Sequence, residues 1–226
     1  CDVECNPVAM SYLYLSGDST VLFIQRKALD ATAEAYLLSQ GIQIEEYASV
    51  TEYLKKLPAG GHVMLDKKQC SYYLYKILAD RQTLVEKQNP TELLKAVKNP
   101  AELAIMEKIY LKDSVALTKF IYWLKTNIGK QEITEVTAAD KLEAFRREIP
   151  EFFDLSFPSI SAYGANAAMM HYEPTRENFS VLKPEGMYLI DSGGQYFGGT
   201  TDVTRTVVLG ALTEEMKAHY TMVAAG

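Results

Sequence analysis

The spacing of apolar and polar residues changes period several times along this chain. Met10 to Leu15 and Thr20 to Ile24 are β-favouring runs separated by Ser16-Gly17-Asp18-Ser19, which predicts a hairpin. Ala31 to Gln40 reads as a helix with Asp30 as its N-cap and Gly41 as its stop. Ser49-Val50-Thr51-Glu52 reads as a capping box that opens a second helix, ending before Pro58. Gln69 to Ala79 is helical by the spacing of Tyr73 and Ile77. Strands are expected over Ile42 to Tyr47, His62 to Leu65 and Leu84 to Lys87. Strands alternating with helices imply an α/β layered unit.

From residue 89 the helical period dominates. Asn89-Pro90-Thr91-Glu92 and Asn99-Pro100-Ala101-Glu102 are both helix starts, with Asn at the cap, Pro at the first helical position and Glu in the positive first turn. The first helix is short; the second runs to about Asn127, with Leu103, Met106, Tyr110, Leu117, Ile121 and Leu124 as its apolar stripe. Thr134 caps a further helix over Glu135 to Glu148, stopped by Pro150. Beyond Phe152 the period becomes that of strands. Leu155 to Ser161 contains Pro158 and so reads as an edge or bulged strand. Tyr163 to Ala167 reads as a loop, and Ala168 to Tyr172 as a short strand carrying His171. Lys183 to Gly186 is a turn launching the Met187 to Asp191 strand, Asp202 to Val208 is another strand, and Thr213 caps a last helix over Glu214 to Ala225.

The two last strands carry the candidate chemistry. Leu189 and Asp191 share one face of their run, as do Asp202, Thr204 and Thr206 of theirs. Four glycines lie between, at 193, 194, 198 and 199, and let the chain turn back. If the runs pair antiparallel, Asp191 and Asp202 come close together on the same side. Two carboxylates side by side repel unless a proton or cation lies between them, and such oxygen donors suit hard divalent ions. Asp beside Gly is also ordinary turn chemistry, so the pattern alone leaves a metal site and a plain turn both open.

Composition narrows the class. With 226 residues, 48% hydrophobic and 23% charged, the chain is an ordinary globular one, long enough for one large or two modest domains. A net charge of −6 with no basic cluster argues against nucleic acid as a partner. No apolar run is long enough for a membrane span and none reads as a signal peptide. Cysteines 1, 5 and 70 are too few for a disulfide framework and fit a reducing, cytoplasmic setting; Cys1 and Cys5 read as incidental rather than as a metal pair. His62 has no acidic or thiol partner nearby in sequence and reads as a surface or packed residue. Tyr72, Tyr73 and Tyr75 point different ways on a helix and read as core and rim packing.

The segments DSGGQY at 191–196 and GTTDVTRT at 199–206 closely resemble the X-prolyl aminopeptidases, the aminopeptidase P branch of the pita-bread metallopeptidases, in their multidomain cytosolic form. The likeness extends to Leu155-Ser156-Phe157-Pro158-Ser159-Ile160-Ser161, to His171-Tyr172-Glu173-Pro174, to Ala138-Ala139-Asp140-Lys141-Leu142-Glu143 and to Lys95-Ala96-Val97-Lys98-Asn99. It implies a fold of mixed α/β and α+β class: a middle non-catalytic, creatinase N-terminal-like domain over 1–88, a linker over 89–98, and the first half of a pita-bread domain over 99–226. It further implies a site with two divalent metal ions, manganese the expected metal. Asp191 would bind one ion, Asp202 would bridge both, and a His and two Glu of the second half would complete the set. His171 matches the family histidine beside the metals that contacts substrate. His219 lies outside any matching motif, and Arg205 stays open between charge balance for the carboxylates and a surface ion pair. The implied reaction removes an N-terminal residue from peptides with proline second. A prolidase or creatinase-like hydrolase, and a metal-free pita-bread binding protein, are the alternatives. Cys1 and Gly226 both read as cuts in a longer chain, so the fragment is expected to hold metal weakly and to be inactive alone. The full-length protein is expected to be a homodimer.

Overall fold

The computed structural model describes residues 3–226, and in it the chain forms two compact units. One comprises Val3 and Val8–Lys98; the other comprises Glu4–Pro7 together with Asn99–Gly226. Cys1, the partner considered for Cys5, lies outside the described residues. Cys5 and Cys70 are free thiols.

The first unit begins with the expected hairpin, β1 (Ser11–Leu15) and β2 (Thr20–Ile24), paired antiparallel. Helix α1 (Ala31–Ser39) carries the chain over to β3 (Ile42–Glu46), which lies parallel to β2. The Asp30 side chain accepts from the Ala33 amide and so caps α1. Helix α2 (Val50–Lys55) starts without the capping box read from the sequence. Ser49 is already helical, and its hydroxyl donates back to the Glu46 carbonyl across a 3-10 turn. Glu52 pairs with Lys55 instead of reaching back. Strand β4 (His62–Leu65), helix α3 (Tyr72–Ala79) and β5 (Thr83–Glu86) form a second parallel crossover. Val21, Phe23, Val50 and Leu74 make the core of this unit. His62 is exposed, as its context suggested. Tyr72 and Tyr73 are exposed too, and Tyr72 stacks on Tyr75 one turn on, which corrects the packing role assigned to them. Helix α4 (Pro90–Ala96) follows, with Asn89 as its cap.

In the second unit α5 (Pro100–Asn127) opens with a full capping box between Asn99 and Glu102. Its buried stripe is Ile109, Asp113, Ala116, Leu117, Phe120 and Leu124; Leu103 and Tyr110, expected in it, are exposed. Helix α6 (Glu135–Arg147) packs beside α5. Between them Asp113 accepts from Arg146 Nε at 2.7 Å, and both residues are buried. The Tyr196 hydroxyl donates to the same Asp113 oxygen.

The strand expected over Leu155 to Ser161 is in fact two. Strand β6 (Phe152–Leu155) ends before Pro158, and β7 (Ile160–Tyr163) begins after it in another sheet. Proline cannot donate to a ladder, so the break falls there. Strands β8 (Met187–Ser192), β9 (Gly194–Tyr196), β10 (Gly199–Thr200) and β11 (Val203–Val208) complete the sheets, ordered β11-β8-β7 and β10-β9-β6. Tyr188, Ile190, Val207 and Leu209 pack with Phe120, Leu124, Ala138 and Leu142. The two helices therefore cover one face of β8. Helix α7 (Glu214–Ala225), capped by Thr213, closes the described chain. No helix among the described residues is long and apolar enough to cross a membrane.

Candidate metal centre and the histidine loop

The centre grows out of one antiparallel hairpin. Strand β8 pairs with β11 so that Asp191 stands opposite Thr204 and Ser192 opposite Val203. The same register runs on through β9 and β10, where Gln195 faces Thr200 and Tyr196 faces Gly199. The Gly-rich link is therefore the continuation of the hairpin, turning at Phe197-Gly198, where Gly198 takes a φ of +107°. Carrying the register one step past Val203 sets Asp202 opposite Gly193. Alternation then puts Asp202 on the Asp191 side as its diagonal neighbour.

That side is the open one. Tyr188, Ile190 and Ser192 point into the helix layer and are buried, whereas Asp191 is half-buried and Asp202 exposed. The Thr204 hydroxyl donates to Asp191 Oδ1 at 2.7 Å, which fixes one carboxylate oxygen and leaves the other free for a cation. Gly193 keeps the strands this close: a Cβ there would lie 1.9 Å from the Thr201 carbonyl oxygen. That carbonyl also accepts from Ser156 Oγ, and it belongs to the residue just before Asp202. Arg205 lies on the opposite face, across from Ile190, and donates to the Thr204 carbonyl. His219 lines a groove with Met187, Thr206, Met216 and Tyr220.

As a cation site the donor set is partial. Two aspartates offer the hard oxygen ligands that divalent ions such as Mg or Mn take. Among the described residues no group of three or more His, Cys, Asp or Glu could hold a metal ion. The residues present fit one side of a coordination shell.

His171 does not sit on a strand. The expected run from Ala168 to Tyr172 is the end of a 3-10 turn (Gly164–Ala168) followed by a tight turn, and His171 is exposed at a φ of +60°. Tyr172 is pulled back toward α6, and its amide donates to the Met169 carbonyl across the reversal. That pull comes from Glu135, whose sequence context marks only the first residue of a helix. Its side chain is fully buried and its carboxylate accepts four hydrogen bonds. Oε1 takes the Tyr163 amide at 2.6 Å and Asn166 Nδ2 at 3.0 Å. Oε2 takes the Ser180 amide at 2.7 Å and the Tyr172 hydroxyl at 2.8 Å. The first turn of α6 adds its own positive end. Burial, and then the bond to Glu135, push the Tyr172 phenol up to about 12. Burial also pushes the Tyr188 phenol up, beside the Ser161 hydroxyl. Among the described residues His171 forms no hydrogen bond or ion pair with either aspartate.

Comparison with known proteins gives this geometry a context. Residues 1–102 match the creatinase/prolidase N-terminal domain, and residues 104–226 match metallopeptidase family M24. The chain is 36% identical over 240 residues to a probable Xaa-Pro aminopeptidase P of Fusarium vanettenii, covering 100% of this chain and 39% of that protein. It is 38% identical over 229 residues to Xaa-Pro aminopeptidase 1 of Dictyostelium discoideum, again over 100% of this chain and 36% of that one. The crystal structure of an X-prolyl aminopeptidase from Caenorhabditis elegans, described as a cytosolic enzyme with a di-nuclear active site, superposes with a TM-score of 0.88 at 29% identity. That superposition covers 98% of this chain and 37% of the other. Prolidase from Pyrococcus furiosus shares the fold at a TM-score of 0.72 and 18% identity, over 95% of this chain and 60% of its own. The chain thus spans well under half the length of the aminopeptidases it matches, and its fold is a creatinase-type N-terminal domain followed by pita-bread metallopeptidase structure.

Proposed function

This chain belongs to metallopeptidase family M24, and from that premise we propose that the protein containing it is a metal-dependent X-prolyl aminopeptidase. Its substrates are peptides with proline in the second position, and it hydrolyses the bond before that proline. Residues 1–88 serve as a non-catalytic α/β domain, 89–98 as a linker, and 99–226 as half of the catalytic domain. The C. elegans enzyme's cytosolic setting is extended to this protein on the same footing.

The reading rests on the β8–β11 hairpin, where Asp191 is oriented by the Thr204 hydroxyl and stands in register two rungs from Asp202. Asp191 and Asp202 would supply carboxylate oxygens to two divalent ions, manganese the expected one. When bound, such a pair supplies Lewis-acid polarisation of the scissile carbonyl and a nucleophile at neutral pH. The Thr204 hydroxyl keeps the Asp191 carboxylate in one rotamer. His171, outside the metal ligands, donates a hydrogen bond to the carbonyl oxygen that gains charge as water adds to the scissile carbonyl. Its imidazole can also accept a proton from the attacking water and return it to the leaving proline nitrogen.

The test compares His171→Ala and Asp202→Ala in the full-length protein. His171→Ala is expected to lower kcat by about 10²-fold or more on an Xaa-Pro-Xaa peptide while metal content stays near wild type. Asp202→Ala is expected to lose metal and activity together. Equal metal loss in the two variants contradicts the role given to His171. Equal turnover of peptides with and without proline second contradicts the substrate class.

A further inference from the structure

The loop that carries His171 has little packing of its own. Met169 is 51% exposed and Met170 91% exposed, so its tip is mostly open to solvent. His171 holds a left-handed backbone, which costs any residue with a Cβ and persists only when the surroundings impose it. What imposes it comes from the two feet of the loop. The entering foot offers the Tyr163 amide and the Asn166 side chain; the leaving foot offers the Tyr172 hydroxyl and the Ser180 amide. All four converge on one buried carboxylate, that of Glu135. Backbone bonds from Glu135 to the Ser180 carbonyl and from Leu182 to the Ile133 carbonyl stitch the same foot to the start of α6. Among the described residues Glu135 makes no ion pair, so its charge is balanced by these donors and the helix end. A surface role for Glu135 does not explain a fully buried acid with every donor drawn from one loop.

We infer that Glu135 is a positioning residue for His171: its carboxylate clamps both feet of the 163–180 loop to α6 and so sets where the imidazole stands. The inference rests on the role given to His171 above. Only an acceptor with two charged oxygens serves four donors. In Glu135→Gln an NH2 group takes the place of one oxygen and meets either the Tyr163 or the Ser180 amide donor to donor. Tyr172→Phe removes a single hydroxyl from the clamp, directly beside His171.

The experiment is a double-mutant cycle in the metal-loaded full-length protein, with hydrogen exchange as a readout independent of activity. Glu135→Gln is expected to lower kcat about tenfold, and Tyr172→Phe about threefold, with KM and metal content within twofold of wild type. In a His171→Ala background neither substitution is expected to lower kcat by more than twofold further. Amides from Tyr163 to Tyr172 and at Ser180 are expected to exchange faster in both variants, while α5 is unchanged. Should Glu135→Gln fail to fold, Tyr172→Phe carries the cycle, since it removes one oxygen atom and no charge. The same fold-loss in the His171→Ala background as in wild type overturns the inference and makes Glu135 merely structural. Unchanged exchange at the loop overturns it whatever the activity. Full turnover in His171→Ala alone is a different outcome: it overturns the underlying role of His171, and the inference falls with it.

Discussion

Tyr172 joins two roles in one hydroxyl. It follows His171 in the chain and donates to Glu135 Oε2, and its phenol is held up to about 12 from an ordinary 10.0, by burial first and by that bond second. A phenol whose folded pKa is raised keeps its proton in the folded state after the unfolded state has released its own. Its contribution to stability is therefore complete below about pH 10 and is lost as pH rises through about 12. The stability difference between wild type and Tyr172→Phe is expected to be constant to pH 10 and to shrink between pH 10 and 12. Urea unfolding of both proteins across that window measures it, and the buried tyrosines 188 and 196, present in both, cancel in the difference. A difference independent of pH would mean that the hydroxyl does not hold its proton against Glu135. At this scale the sequence singled out Asp191 and Asp202, because both lie in runs of strand period joined by glycine and match a specific motif. It did not disclose Glu135, Asp113 or Arg146. A charged residue in a helical pattern reads as solvated, since burying it is costly unless partners arrive. Here the partners come from 33 residues away for Asp113 and Arg146, and from 28 to 45 for Glu135. The helical period says nothing about such distances.

The element that carries the candidate centre is a single hairpin bent across two sheets. Its outer half pairs in β11-β8-β7 and its inner half in β10-β9-β6, with the bend at Gly193 and Asp202. The bend needs a residue without a side chain. A Cβ at Gly193 would meet the Thr201 carbonyl oxygen at 1.9 Å and Ser156 Oγ at 2.3 Å, and the first of these is backbone that cannot swing aside. Gly193→Ala is expected to destabilise the fold by about 2–3 kcal/mol and to push Asp202 away from Asp191. In the full-length protein it is expected to lose metal at the same time, although it changes no ligand. Denaturant unfolding and metal analysis check both; full stability with full metal content would show that the strands need not approach so closely. The antiparallel pairing was legible as an expectation because a short Gly-rich link joins two alternating runs, and the β8–β11 register bears it out. The split at Pro158 and the turn at His171 were not. Short apolar runs fit a strand and a turn equally well, and the choice was made by contacts to distant β9 and to Glu135.

On the scale of the whole molecule, what matters is how many metal donors the chain owns. A dinuclear centre requires each ion to find several ligands in a preformed geometry, and affinity climbs with ligand number and rigidity. The described residues bring Asp191 and Asp202 to one side of the hairpin and add no third His, Cys, Asp or Glu to a group that could hold an ion. One Asp191 oxygen is already engaged by Thr204. The relatives that this chain matches are more than twice its length, the chain spanning 36% to 39% of two of them. Calorimetric titration of the 226-residue chain with Mn is therefore expected to show at most one ion, with a Kd weaker than about 0.1 mM. A short Xaa-Pro-Xaa peptide is expected to remain uncleaved. The full-length protein under the same conditions is expected to bind two ions tightly and to turn the peptide over. Tight binding of two ions by the 226-residue chain alone would mean that donors other than Asp191 and Asp202 reach the hairpin. They would have to come from the chain's own residues on rearrangement or from a second copy. Sedimentation in the presence of Mn separates those sources, because only the second makes the metal-bound species a dimer.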